Sequence, residues 1–285
     1  MRRSNRRGVH KRDKIEKGAR LLFILGVIIA VACLIFYKFY VQRPVKIERI
    51  GKKAIVYPKA PAPPPLRIAI ILDDFGYNNK NVDAVFNLKR PVTFSILPHH
   101  AYSKLISMRA YQNKYEAILH LPLEPHEEDK SVKPESQTIR VGMKKDEVLE
   151  KLNSALENVL FVKGISNHQG SKATEDAALI ETIFSELKKR NMFFVDSLVT
   201  NKSVCKQVAK EIGIKFAKRD IFLDNKEDFE YIRGQMHYLV KKAKKKGFAI
   251  GIGHDRTPTI SALEKLMPEA EKEGIRFVFV SELIQ

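Results

Sequence analysis

The chain has 285 residues, two cysteines, no tryptophan and a formal net charge of +18. This length holds one large domain or two small ones, and two cysteines, Cys33 in an apolar stretch and Cys205 in a helical pattern, exclude a disulfide framework and a cysteine zinc site. The charge is uneven: residues 1–20 carry nine Lys or Arg against Asp13 and Glu16, leaving a thinly spread +11 elsewhere, and with no aromatic-rich basic ribbon no nucleic-acid partner is expected.

Residues 1–20 read as a basic cytoplasmic segment. Leu21 to Tyr37 is a run of 17 residues without a charge, flanked by that segment and by Lys38. It has the length of a short membrane-spanning helix, and no small-residue cleavage site follows it. An uncleaved single-pass anchor over residues 21–40 is expected, with the N-terminus inside the inner (cytoplasmic) membrane and the rest outside. Residues 41–65 end in YPKAPAPPP, where five of nine residues are proline, a composition that favours an extended polyproline II spacer. The folded domain is expected over residues 66–285.

Within it, apolar strand-like runs alternate with helical patterns. The runs are Ile68 to Asp73, Thr93 to Leu97, Ala117 to Leu121, Gly164 to Asn167, Phe193 to Asp196, Lys215 to Ala217, Phe248 to Gly253 and Arg276 to Val280. Helical patterns cover Lys144 to Leu160, Thr174 to Arg190 (with Thr174 as cap and Glu175 and Asp176 as early acids), Ser203 to Ile212, Glu227 to Lys246 and Ile260 to Glu273. The lysines of Lys241 to Lys246 complement a helix dipole just before Gly247. Such alternation specifies an α/β fold with a parallel sheet, and seven or eight units suit a distorted (β/α) barrel better than an open sheet.

The rest is arranged around RIAIILDDFG at residues 67–76. Five apolar residues without polar alternation suit a strand buried on both faces, and the run ends in adjacent carboxylates, Asp73 and Asp74. Ligands of such sheets sit at the carboxyl ends of strands. One of the two could instead cap the following helix, but that hardly accounts for both. His120, His168, Asp196, His254 and Asp255 also stand at or just past strand ends. Each histidine alone is equally consistent with a hydrogen-bonded structural role; their joint placement points to a divalent metal with N and O ligands, zinc first, and to metal-assisted hydrolysis. His99, His100 and His126 lie in loops and read as surface residues, and His237 as packed or solvated on a helix. Gly247, Gly251 and Gly253 do not open a helix, so they are a poor nucleotide loop, and neither a GK[ST] loop nor a GxSxG elbow occurs.

Taken in order, IAIILDDFG, VTFSILP, ILHLPLEP, GISNHQGS, FFVDS, RDIFLDN and GIGHD resemble the divergent branch of the polysaccharide deacetylase family over about residues 68–283. The resemblance implies a distorted β/α barrel that uses a divalent metal to remove N-acetyl groups from an amino-sugar polymer, here an envelope polysaccharide or peptidoglycan-type glycan. It assigns Asp73 as base, Asp74 as metal ligand with two histidines, and His254 as acid. The wider family spaces its two ligand histidines HxxxH, whereas ILHLPLEP offers only His120, so the second ligand would be His168. Asp196 would orient the acid or position water, and Asn167, Gln169 and Arg219 would contact substrate. Two other readings stay open: a catalytically idle relative that binds glycan or a partner protein, and a glycosidase using Asp73 and Asp196.

Overall fold

The computed structural model describes residues 6–42, with side chains from 16, and residues 65–127 and 135–284. Most of the expected proline-rich spacer, residues 43–64, lies outside them. The chain divides into two units, residues 1–61 and 62–285.

The first unit contains helix α1 (Arg6–Phe36) and one following π-helical turn, Tyr37–Val41. Its stretch Glu16–Val41 is long and apolar enough to cross a membrane, and from residue 16 its side chains are exposed on every face. A helix that is apolar all round without burying itself in protein has the character of a segment for a non-aqueous phase.

The second unit runs β1 (Leu66–Phe75), α2 (Val82–Asn87), β2 (Thr93–Ile96), α3 (Ser103–Gln112), β3 (Ala117–Leu123), α4 (Lys145–Asn158), β4 (Gly164–Gln169), α5 (Ala177–Lys189), β5 (Phe193–Asp196), α6 (Cys205–Ile212), β6 (Phe216–Lys218), β7 (Ile221–Phe222), α7 (Phe229–Lys246), β8 (Phe248–His254), α8 (Thr257–Lys272) and β9 (Ile275–Val278). All strand pairings are parallel. The strand order is β6-β5-β4-β3-β2-β1-β8-β7, with β9 beside the first half of β1. Lys218 and Ile221 end and begin strands at opposite edges of that order, yet a chain of three residues spans at most about 11 Å. The sheet therefore curls on itself, as a distorted barrel must.

Strand alternation explains the double burial of β1. Ile68, Ile70 and Leu72 point to the helix-facing core, while Ala69 and Ile71 join Ile118, Val195, Ile250 and Ile252 inside the curl. A Cβ on Gly251 would lie 2.7 Å from Leu239 of α7, and one on Gly253 2.9 Å from Thr259 of α8. These glycines let the helices press onto β8.

The short elements α2, α3 and β7 carry too few periodic residues to stand out in the sequence. The cap of α5 is Asp176, whose Oδ1 accepts from the Leu179 N–H at 2.8 Å; Thr174 lies in a preceding 3-10 turn and donates to the Gly170 carbonyl.

Phe94 is fully buried, with ring centroids of Phe75, Phe86 and Tyr115 at 4.6, 5.5 and 5.9 Å. Phe94→Ala is expected to cost about 3–5 kcal/mol, read as a lower urea midpoint at unchanged slope.

Candidate active site

The carboxyl end of β1 departs from regular strand geometry. Its pairing with β2 shifts register between Leu72 and Phe75, and Asp74 adopts a left-handed φ of +67°, which Asp tolerates better than most residues. In a regular strand the two carboxylates would point to opposite faces. The kink lets both flank one imidazole: Asp73 Oδ1 lies 3.7 Å from His120 Nδ1, and Asp74 Oδ1 lies 3.3 Å from His120 Nε2.

β3 and β4 deliver the histidines. Their register sets His120 beside Ser166 and Pro122 beside His168. His168 Nδ1 comes within 3.2 Å of His120 Nε2 and 3.0 Å of Asp74 Oδ1. Three ligand atoms thus meet, with His120 3 % and His168 8 % exposed. Two imidazole nitrogens and a carboxylate oxygen at 3.0–3.3 Å match one face of a tetrahedron, whose edge is about 3.3 Å for metal bonds of 2.0–2.1 Å. Asp74 Oδ1 is buried without a well-aligned hydrogen bond, as a cation ligand should be. The residues fit a divalent cation.

Behind His120 runs a chain of hydroxyls. Its Nδ1 is 2.8 Å from Ser166 Oγ, which is 2.8 Å from Ser95 Oγ, and Ser95 also hydrogen-bonds the Asp73 carboxyl. A proton on Nδ1 shared with Ser166 leaves Nε2 with its lone pair toward Asp74 and His168.

On the other side of β1, β8 sets His254 in register with Asp73. The orienting carboxylate is Asp224, not Asp196. His254 Nδ1 lies 2.8 Å from Asp224 Oδ1, while the His254 N–H and Thr259 hydroxyl donate to Asp224 Oδ2 at 2.8 and 2.6 Å. Asp196 accepts instead from the Leu198 N–H and the Ser203 hydroxyl, both at 2.7 Å, tying down the loop after β5.

Burial raises the Asp73 pKa, and the negative Asp74 adds to this, against the opposing charges of His120 and His254. Burial would likewise raise that of Asp74, yet the adjacent imidazoles of His120 and His168 bring it well below the usual range. For His254, burial is outweighed by the Asp224 hydrogen bond and charge, and the pKa rises. Adjacent Asp255, whose N–H donates to the Asp73 carbonyl, is pushed up to about 6 by burial and by the charge of Asp74.

The three expected substrate contacts are placed differently. Asn167 is buried, and its amide is engaged with the Gln169 carbonyl and the Ser197 N–H. Gln169 has φ +52° and a buried side-chain nitrogen with no hydrogen-bond partner among the described residues. Arg219 donates to the carbonyls of Ser197 and Leu198 and lies 3.7 Å above the Phe222 ring, which stacks in turn with His254 at 5.9 Å. Asp73 is among the carboxylates whose charges act on Arg219. His100 and His126 are not isolated surface groups: each contacts a carboxylate, Glu135 and Glu175 respectively. Asp224 stands within RDIFLDN, at the end of an apolar run like the other acids, but the two-residue β7 hid that strand end.

Residues 70–284 match the family described as divergent polysaccharide deacetylase. The chain belongs to that family. An uncharacterized protein of Haemophilus influenzae is 33% identical over 198 residues, covering 70% of each chain. A peptidoglycan-N-acetylglucosamine deacetylase of Bacillus cereus is 42% identical over 52 residues, 18% of this chain and 24% of that one. The crystal structure of the uncharacterized protein ATU2773 from Agrobacterium tumefaciens superposes with a TM-score of 0.72 at 22% identity, covering 79% of this chain and 92% of that one, and shares the fold.

The Asp224–His254 pair carries a pH signature. His254, with a pKa raised from 6.5, contributes stability that is complete below pH 6.5 and lost as pH rises through its folded value. Asp224, with a pKa lowered from 3.8, contributes above pH 3.8 and loses it as pH falls through its folded value. Asp224→Asn is therefore expected to lower the melting temperature by about 6–12 °C near pH 6, for a loss of ~3 kcal/mol, and by less near pH 9. NMR titration should show the His254 pKa falling in the same variant.

Proposed function

We propose that the protein is a metal-dependent deacetylase that removes N-acetyl groups from an amino-sugar polymer of the cell envelope. The observation that carries this reading is the convergence of Asp74 Oδ1, His120 Nε2 and His168 Nδ1 at 3.0–3.3 Å, flanked by a buried carboxyl and a carboxylate-held histidine. His168 takes the place of the second histidine of the wider family's HxxxH segment. A divalent cation at these atoms, zinc by its donor set, would polarise the acyl carbonyl and acidify water.

The chain's own groups have separable tasks. Asp73, buried and with a raised proton affinity, accepts the proton of the attacking water. His254, kept protonated by Asp224, donates one to the departing amine. Arg219, packed on Phe222, acts on Asp73 at longer range. Asp196 holds the loop after β5 that carries the Arg219 contacts. The apolar Glu16–Val41 helix is read as an anchor in the inner membrane, N-terminus inside, with the deacetylase unit outside among envelope glycan.

The purified chain is expected to hold about one divalent cation and to release acetate from acetylated chitooligosaccharide or peptidoglycan fragments. Asp74→Ala and His168→Ala should lose the cation and the activity together. His254→Ala should keep the cation and lose about 10²–10⁴ in kcat. Absence of both cation and acetate release would overturn the reading, and release of reducing ends in the presence of a chelator would transfer it to a glycosidase.

A further inference from the structure

Beside the candidate metal site, the turn after β1 carries a cluster to which none of these steps gives a role. Gly76 has φ +132°, and a Cβ there would lie 3.0 Å from the Leu97 carbonyl and the Ser103 hydroxyl and 3.3 Å from His100 Cβ. Only glycine lets the end of β1 come this close to the loop after β2. The two segments are also joined by backbone bonds, Leu97 N–H to the Phe75 carbonyl at 2.8 Å and Tyr102 N–H to the Gly76 carbonyl at 3.0 Å. Tyr77 is thereby laid against His100, ring centroids 4.1 Å apart.

Both side chains are then fixed by one carboxylate. The Tyr77 hydroxyl donates to Glu135 Oε1, and His100 Nε2 lies 3.1 Å from Glu135 Oε2. Such pinning would be wasted on a ring with only a packing role, yet Tyr77 remains 49% exposed, three residues from Asp74 and within reach of its charge. A rigid, half-exposed aromatic face with hydrogen-bonding groups at its rim suits the apolar face and peripheral hydroxyls of a sugar ring.

Chain neighbours of the cluster lead to a groove of about 690 Å3, within the size range of small-ligand sites. Gln137 in its wall is two residues from Glu135, and Ser154, also in its wall, lies 3.4 Å from Nε2 of His99, the neighbour of His100. Gln137, Lys151 and Ser154 give this groove a polar lining, with the Lys151 ammonium donating to Gln137 Oε1 at 3.0 Å.

We infer that Tyr77, held by His100 and Glu135, is the stacking platform for a sugar unit next to the one that presents its acyl group, so that the site selects a glycan chain over a single sugar. This inference rests on the glycan reading above and deepens it. An isolated sugar at the metal would leave the Tyr77 face empty; an oligomer would cover it and continue toward the groove.

The test uses the full chain in detergent with Asp73→Asn to prevent turnover, and measures by calorimetry the affinities of N-acetylglucosamine and its β-1,4-linked trimer and hexamer. The trimer is expected to bind about tenfold more tightly than the monomer, the scale of one good aromatic contact. Tyr77→Ala should abolish that difference, while Tyr77→Phe, which keeps the ring and loses the hydroxyl, should retain most of it. A parent chain that binds trimer no better than monomer, or a folded Tyr77→Ala chain that keeps the preference, overturns the inference. With Asp73 restored, acetate release whose KM is indifferent to Tyr77 overturns the platform and leaves the deacetylase reading intact. Tyr77-dependent trimer binding without any acetate release supports the platform and removes the deacetylase.

Discussion

The site depends on one backbone departure, the left-handed turn of Asp74 at the end of β1. Strand alternation would send one of two neighbouring carboxylates into the helix-facing core, where an unpaired charge costs several kcal/mol. Reversing φ at a single residue keeps both beside His120, one near each ring nitrogen. The neighbouring structure accommodates the kink: β1 shifts register against β2 there, and Gly76 supplies the close approach that lets the loop after β2 fold over it.

Around that kink, burial and partner choice give chemically similar groups different proton affinities. Asp73 and Asp74 are consecutive, but desolvation dominates the first and two imidazoles dominate the second, so their affinities move in opposite directions. His254 is held by a carboxylate that itself receives a backbone N–H and a threonine hydroxyl, and the pair lowers the proton affinity of the carboxylate and raises that of the imidazole. Asp73 and His254 thus share one strand register with both proton affinities raised, the first by burial and the second by Asp224.

The fold also separates duties between its two rims. Leu66 opens β1 at the amino rim, so the chain enters the unit there, while every proposed catalytic or metal-binding side chain lies at the carboxyl rim. The lysines closing α7 sit at the entry rim, beside Gly247 and its contact with Arg67.

The parallel α/β class, the long apolar helix and the strands bearing Asp73, His120, His168 and His254 were legible in the residues, because buried parallel strands are continuous apolar runs and an ionisable residue at their end is conspicuous. Short or weakly patterned elements were not: α2 has six residues, α3 fills half of its buried positions with Ser103 and Ser107 and so shows no apolar period, and β7 has two residues, so the strand end that presents Asp224 went unseen. Asp196 ends an apolar run and reads from the sequence as a partner of the acid, and only the tertiary structure shows that Asp224 meets His254. Local sequence determined which residues could carry chemistry; which of them share a partner depends on strand register, the φ of Asp74 and the curl of the sheet, and these follow from contacts among residues as far apart in the chain as Leu66 and Ile275.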